Sequence, residues 1–82
     1  MKKHVLYVLP NDNASIQALR VSASISDIQF CDVSKLIEIP YWLLGVPSLL
    51  DVQKQTLFPG SHCLRQLKTI LNEKNGQIKK DH

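Results

Sequence analysis

The side chains in this 82-residue chain that could do chemistry are few and scattered. Cys31 and Cys63 are its strongest potential nucleophiles. A thiol becomes reactive when a helix N-terminus or a nearby cation lowers its pKa. The two lie far apart, form no C-x-x-C and belong to no cluster with metal-ligand spacing. Cys63, near the start of an expected helix, is the candidate reactive thiol, although no resolving partner is evident and a structural thiol is the plainer reading. A Cys31–Cys63 disulfide would need Cα atoms within ~7 Å, and the expected positions, an outer strand and a helix on the sheet, do not favour that. His4, His62 and His82 are dispersed, so no metal site is assigned. Asp32 and Asp51 fall near strand ends, where solvated carboxylates are commoner than an acid–base pair. Ser15 has no evident His or carboxylate to activate it. No catalytic residue, metal or cofactor is therefore assigned.

The elements that would position these groups can be read from periodicity. His4–Leu9 is nearly all apolar and β-branched or aromatic, the pattern of a strand covered on both faces. Pro10-Asn11-Asp12-Asn13 is a turn, with Asp12 or Asn13 as N-cap. Ile16, Leu19 and Ala23 give a helix over residues 14–23 its apolar stripe. Ile28–Val33 alternates as a second strand, which predicts a βαβ unit with parallel strands. Ser34–Leu44 is less regular. Ser34 could cap a turn or two, and Pro40 stops any helix at about Ile39. Tyr41-Trp42-Leu43-Leu44, the most apolar tetrapeptide, covers the sheet or is exposed for a partner. Ser48–Val52 reads as a third strand, Gln53-Lys54-Gln55 as a hairpin turn lacking the Asn-Gly or Asp-Gly signal, and Thr56–Phe58 as a fourth. Ser61 then caps a helix over about His62–Asn72, striped by Leu64, Leu67 and Leu71. Residues 1–73 form one domain, and 74–82 a charged flexible tail after Asn75-Gly76.

Charge and length exclude several classes. The net charge of +3 comes from the ends. Between residues 4 and 73, five basic groups face six acidic ones, a net charge of −1. The basicity therefore belongs to solvated ends rather than to a nucleic-acid or membrane face. Tyr7, Phe30, Tyr41, Trp42 and Phe58 have no interleaved basic residues and read as core rather than as a base-stacking platform. No apolar run approaches the ~18 residues of a membrane span. The run after Lys2-Lys3 is too short for a signal peptide. Free cysteines fit the cytoplasm or another reducing compartment.

The segment Gly45-Val46-Pro47-Ser48-Leu49 resembles the Gly-Val-Pro-Thr segment of thioredoxin-like proteins, glutaredoxins included. The order β-α-β, a linking segment, then β-β-α is similar to that family's minimal order. Phe58-Pro59-Gly60-Ser61 is similar to the glycine turn after its fourth strand. The resemblance covers roughly residues 4–72. It implies an α/β, thioredoxin-like fold, a four-stranded mixed sheet with helices packed on it. It implies a cis Pro47 opening the third strand, facing a redox cysteine pair placed between the first strand and first helix. In the matching stretch, Pro10–Ser15, there is no Cys, and Asp12 stands where a thiolate is wanted. For glutathione, Val46 would offer its backbone and the helix near Ser61 its N-terminus. The family's Gly-Gly, acidic residue and basic residue are absent, so glutathione is not expected.

The expectation is a thioredoxin-like domain without its redox centre, serving as a binding or structural module. It would suit a small subunit or adaptor in a larger assembly such as a particle or shell. Its partners would be proteins, met at a groove of Asn11, Asp12, Asn13, Val46 and Pro47, or at Tyr41, Trp42, Leu43 and Leu44. The alternative is a diverged glutaredoxin-like thiol oxidoreductase or glutathione-binding protein using Cys63 or Cys31. Nucleic-acid binding through the tails is a third class.

Overall fold

Strand β1 (His4–Val8) runs through the centre of a four-stranded mixed sheet. The computed structural model describes residues 2–79. After β1 come helix α1 (Asn13–Ser22), strand β2 (Ile28–Asp32), a 3-10 turn over Val33–Lys35, strand β3 (Ser48–Asp51), strand β4 (Thr56–Pro59) and helix α2 (Ser61–Lys79). The sheet order is β2-β1-β3-β4. β1 and β2 are parallel, while β3 is antiparallel to both β1 and β4. The chain is thus an α/β domain with a four-stranded mixed sheet and two helices.

Strand residues alternate between faces, and the register sorts them. Leu6 lies opposite Leu49, and Leu49 opposite Phe58. These point to the side where α1 and α2 pack. There Leu6, Val8, Leu49, Ile25 and Ile28 join Ala18 from α1 and Cys63 and Leu67 from α2 in one core. Val5 opposite Leu50, and Leu50 opposite Leu57, point the other way. Both helices contribute to the first face, which leaves the linker of residues 36–47 to cover the second.

Helix α1 departs from its expected stripe. The fully buried positions are Ser15, Ala18 and Ser22, while of the expected Ile16, Leu19 and Ala23 only Leu19 packs, half-buried, against the core. Small side chains at i, i+3 and i+7 let α1 approach α2 and the sheet closely. Their hydroxyls are satisfied locally, since Ser15 Oγ accepts from Leu9 N at 3.1 Å and Ser22 Oγ donates to Leu19 O at 3.0 Å. Asp12 is the N-cap, its carboxylate accepting from Ser15 N at 2.9 Å.

Helix α2 begins at Ser61 itself, so Ser61 is its first residue and not its cap. Gly60, with a φ of 58°, precedes it, and its carbonyl accepts from Cys63 N at 3.0 Å. The helix runs on past Asn72 to Lys79, through Asn75-Gly76. An interior glycine costs only ~1 kcal/mol against alanine, and no proline follows to stop the helix. The part of the expected tail beyond Lys79 lies outside the described residues.

One strand-end expectation changes, and the expected hairpin at Gln53–Gln55 is found. Asp51 is buried rather than solvated, and its Oδ1 accepts from Lys54 N at 3.0 Å. Its Oδ2 lies 3.7 Å from Nε2 of a largely buried His4. The hairpin after β3 closes through a loop ending in Gln55, at a φ of 53°. A non-glycine residue in this left-handed region hides the usual hairpin signal.

Candidate functional site

The Val46–Pro47 peptide bond is cis and immediately precedes β3. Register sets its surroundings. Tyr7 pairs with Ser48 across the antiparallel β1–β3 ladder, so continuing outward brings Leu9 towards Val46. Two bonds fasten the turn. Ser48 Oγ donates to Gly45 O at 2.6 Å, and Gly60 N donates to Pro47 O at 2.8 Å. The second ties the start of β3 to the start of α2.

Beside this turn lies an apolar groove of about 310 Å³, lined by Leu9, Val33, Ser34, Ile39, Leu43, Leu44, Gly45 and Val46. Of the expected groove residues, the structure brings Val46 here. The Pro47 ring is fully buried beneath the surface. Asn11, Asp12 and Asn13 do not line the groove. Asp12 is engaged at the cap and Asn13 opens α1. Leu43 and Leu44 were expected at a separate interface, and they form a wall of this groove instead. Leu9 and Val33 were missed as site residues. Both stand one residue past the C-terminal ends of the parallel strands β1 and β2, and only the pairing of those strands brings them together.

Where α1 begins, the groups that could react are already engaged. Ser15 is fully buried, with its Oγ bonded to Leu9 N and its N–H to Asp12. Cys63 is fully buried among Leu6, Leu49 and Leu67, and burial pushes its thiol up to about 12. Cys31, half-buried, pairs in register with Tyr7 on the sheet's other face. Both thiols are free. Tyr7 is raised above the ordinary phenol value by desolvation and then by Cys31. Asp32 caps the 3-10 turn. Bonds from the Ser34 hydroxyl at 2.6 Å and the Ser34 N–H at 2.9 Å help lower its pKa, the hydroxyl contributing most. Among the described residues, no group of three or more His, Cys, Asp or Glu side chains is placed to hold a metal ion. No helix is long and apolar enough to cross a membrane among those residues.

The aromatic residues do not all join the core. Phe30 is paired with Leu6 yet exposed, because β2 is an edge strand. Tyr41 is also exposed. Trp42 meets Tyr7 edge-on, with ring centroids 5.6 Å apart at 75°. It walls a second groove of about 360 Å³ with Leu50, Val52, Gln55 and Leu57. The linker thus covers part of the sheet's second face while exposing Ile37, Ile39, Tyr41 and Leu44.

Compared with protein-family models, curated proteins and solved structures, the chain finds no match.

Proposed function

We propose that this chain is a non-catalytic, thioredoxin-like binding module, a small subunit or adaptor of a larger protein assembly such as a particle or shell. The observation that carries the reading is an apolar groove beside the Val46-Pro47 turn, where the central antiparallel strand β3 begins. Its support is the order β-α-β, linker, β-β-α on a β2-β1-β3-β4 sheet, which resembles the thioredoxin-like arrangement. At the start of α1, where that family holds its reactive cysteine, Asp12 and Ser15 are engaged with backbone N–H groups.

The groove suits an extended protein segment. Val46, in the bend before β3, would present its backbone N–H and C=O to such a segment. Leu9, Val33, Ile39, Leu43 and Leu44 offer apolar walls for one or two side chains of that segment. The buried, raised thiol of Cys63 speaks against the thiol-oxidoreductase alternative.

Lysine-reactive cross-linking in the native source, read by mass spectrometry, tests this proposal. A stoichiometric protein partner linked through Lys35 or Lys54, which flank the two grooves, is the expected result. A thiol–disulfide exchange activity of the purified chain, abolished by Cys31→Ser or Cys63→Ser, would overturn it.

A further inference from the structure

The sheet has two edges, and hydrogen-bond parity shows what each presents. A strand residue turns its N–H and C=O to one side, and the next residue to the other. Asp27 O accepts from His4 N at 3.2 Å, so Asp27, Gln29 and Cys31 turn towards β1. Ile28, Phe30 and Asp32 then turn their backbone groups outward from β2. At the other edge, Pro47 O accepts from Gly60 N at 2.8 Å. Gly60, Phe58 and Thr56 therefore turn towards β3, which leaves Leu57 and Pro59 outward. Proline has no N–H to give, so the β4 edge is closed to a further strand at Pro59.

The β2 edge carries no such guard. Its residues are Ile-Gln-Phe-Cys-Asp, with neither proline nor lysine. No strand lies beside it, and among the described residues no turn or loop backbone bond reaches Phe30. Phe30, at the midpoint of β2, is 49% exposed although it pairs with the fully buried Leu6. Asp32, the last residue, is still extended, with a φ of −84° and a ψ of 107°. An extended edge with an exposed aromatic residue at its centre is a template for another strand.

Symmetry and charge select a second copy as that strand. The outward residues lie evenly about Phe30, so an antiparallel copy centred there pairs Phe30 with Phe30 and Ile28 with Asp32. Every outward N–H and C=O then finds a partner, and the contact is the same on both sides of a two-fold axis. The two Phe30 side chains meet on the Leu6 side, with Cα atoms ~5.5 Å apart, as a cross-strand aromatic pair. Lys2 Nζ donates to Ser26 O at 3.0 Å, just before β2, and Asp32 ends the strand. Antiparallel pairing sets the start of each strand against the end of the other, which brings Lys2 towards Asp32. With Asp27 also at the start and Lys35 just past the end, each end holds one acid and one base, and neither repels the other.

We propose that two copies of this chain join β2 to β2, antiparallel about Phe30, in one continuous sheet with the helices of both on the same side. The contact uses none of the residues lining either groove, and it does not rest on the binding-module reading. One strand pairing buries less than the ~1,000 Å² of a stable interface, so the dimer is a weak one, in the roughly micromolar-to-millimolar range.

The test is sedimentation equilibrium of the full chain in reducing buffer, with amide hydrogen exchange read by NMR at low and high protein concentration. The expected result is a monomer–dimer equilibrium. The N–H groups of Ile28, Phe30 and Asp32 should exchange more slowly as the dimer fraction rises, because they are open only in the monomer. Those of Gln29 and Cys31, already turned to β1, should not change. Phe30→Lys, which sets like charges opposite each other, should raise the dissociation constant about tenfold or more. The urea midpoint of the dilute monomer should hold, since the side chain is half-exposed. Lys2→Glu, which sets acid against Asp32, should also weaken association at low salt. A chain that stays monomeric up to ~1 mM overturns the proposal. So does a dimer unmoved by Phe30→Lys, or one in which the outward amides exchange as fast as in the monomer. Should Phe30→Lys fail to fold, the exchange pattern of the parent chain decides. Failure here leaves the cross-linking result, and the binding-module reading, as they stand.

Discussion

Reactivity of Cys63 separates a binding module from a thiol enzyme most directly. The perturbation is Cys31→Ser, which leaves Cys63 as the only thiol. Burial moves that thiol from 9.0 to about 12. At neutral pH this shift lowers its thiolate fraction about a thousandfold relative to an unperturbed cysteine. The side chain is also fully buried, so reagent must await an opening of the fold. The two effects act together, and the native protein should label with an aromatic disulfide reagent at least about a thousandfold more slowly than a free thiol. In the assay, the variant is mixed with reagent in buffer and, separately, in denaturing urea. One equivalent should react promptly in urea and almost none in buffer, with a native rate that rises as urea approaches the unfolding midpoint. Prompt native labelling, within about tenfold of a model thiol, would refute the argument. It would mean that Cys63 is reached without unfolding and that its thiolate is stabilised by something other than the core around it.

Other perturbations follow from the same contacts. Alkaline pH should destabilise the fold. A pKa raised in the folded state leaves stability complete below about 9.0 and erodes it as pH rises towards about 12, so urea midpoints should fall over that window and fall less in Cys63→Ala. Asp12→Ala removes the acceptor of Ser15 N–H and should cost ~1 kcal/mol in urea unfolding, the usual value of an N-cap. Leu49→Ala, at the centre of the core, should cost ~2–5 kcal/mol and leave little folded protein at 37 °C. Gln55→Gly should stabilise by ~0.5–1 kcal/mol by relieving a left-handed backbone, and an unchanged or lower unfolding midpoint would count against strain at that turn.

The strands were legible because their patterns are governed by burial. His4–Val8, apolar on both faces, is central and pairs on both sides. The Val46-Pro47 step stands where a strand that opens on proline should put it. Helix α1 was found, but its buried face was misplaced. Sequence periodicity weights large apolar residues, whereas this helix buries Ser15, Ala18 and Ser22 because close helix approach selects small ones. Their polarity is hidden by bonds to Leu9 and Leu19, which no composition rule detects. The end of α2 was set too early because Asn75-Gly76 was read as a stop, although neither residue forbids helix. The groove was half legible. Val46 was identified from the proline beside it, while Leu9 and Val33 come to the site only through parallel pairing of β1 with β2. That long-range geometry has no local signature.

The linker explains why a domain with so little exposed chemistry would keep so much exposed apolar surface. Both helices pack on the Leu6–Leu49 side of the sheet, so Val5, Tyr7, Leu50 and Leu57 on the other side need a cover. A helix there would bury them and turn a polar face outward. The segment around Pro40 cannot form one, since proline lacks the N–H and constrains the residue before it. Trp42 meets Tyr7 edge-on, Leu36 and Leu43 are half-buried, and Ile37, Ile39, Tyr41 and Leu44 face out. An irregular segment with Ile37, Ile39, Tyr41 and Leu44 exposed leaves apolar area in water that the proposed partner would cover. The lack of an α-helix between β2 and β3 and the exposure of these apolar side chains are, on this argument, one feature of the sequence. Restoring helical character there, by Pro40→Ala together with polar replacements of Ile37 and Tyr41, should keep or raise stability while association with that partner is lost. If such a variant bound the partner as well as the parent does, the linker would be a cover only, and the interface would have to lie elsewhere.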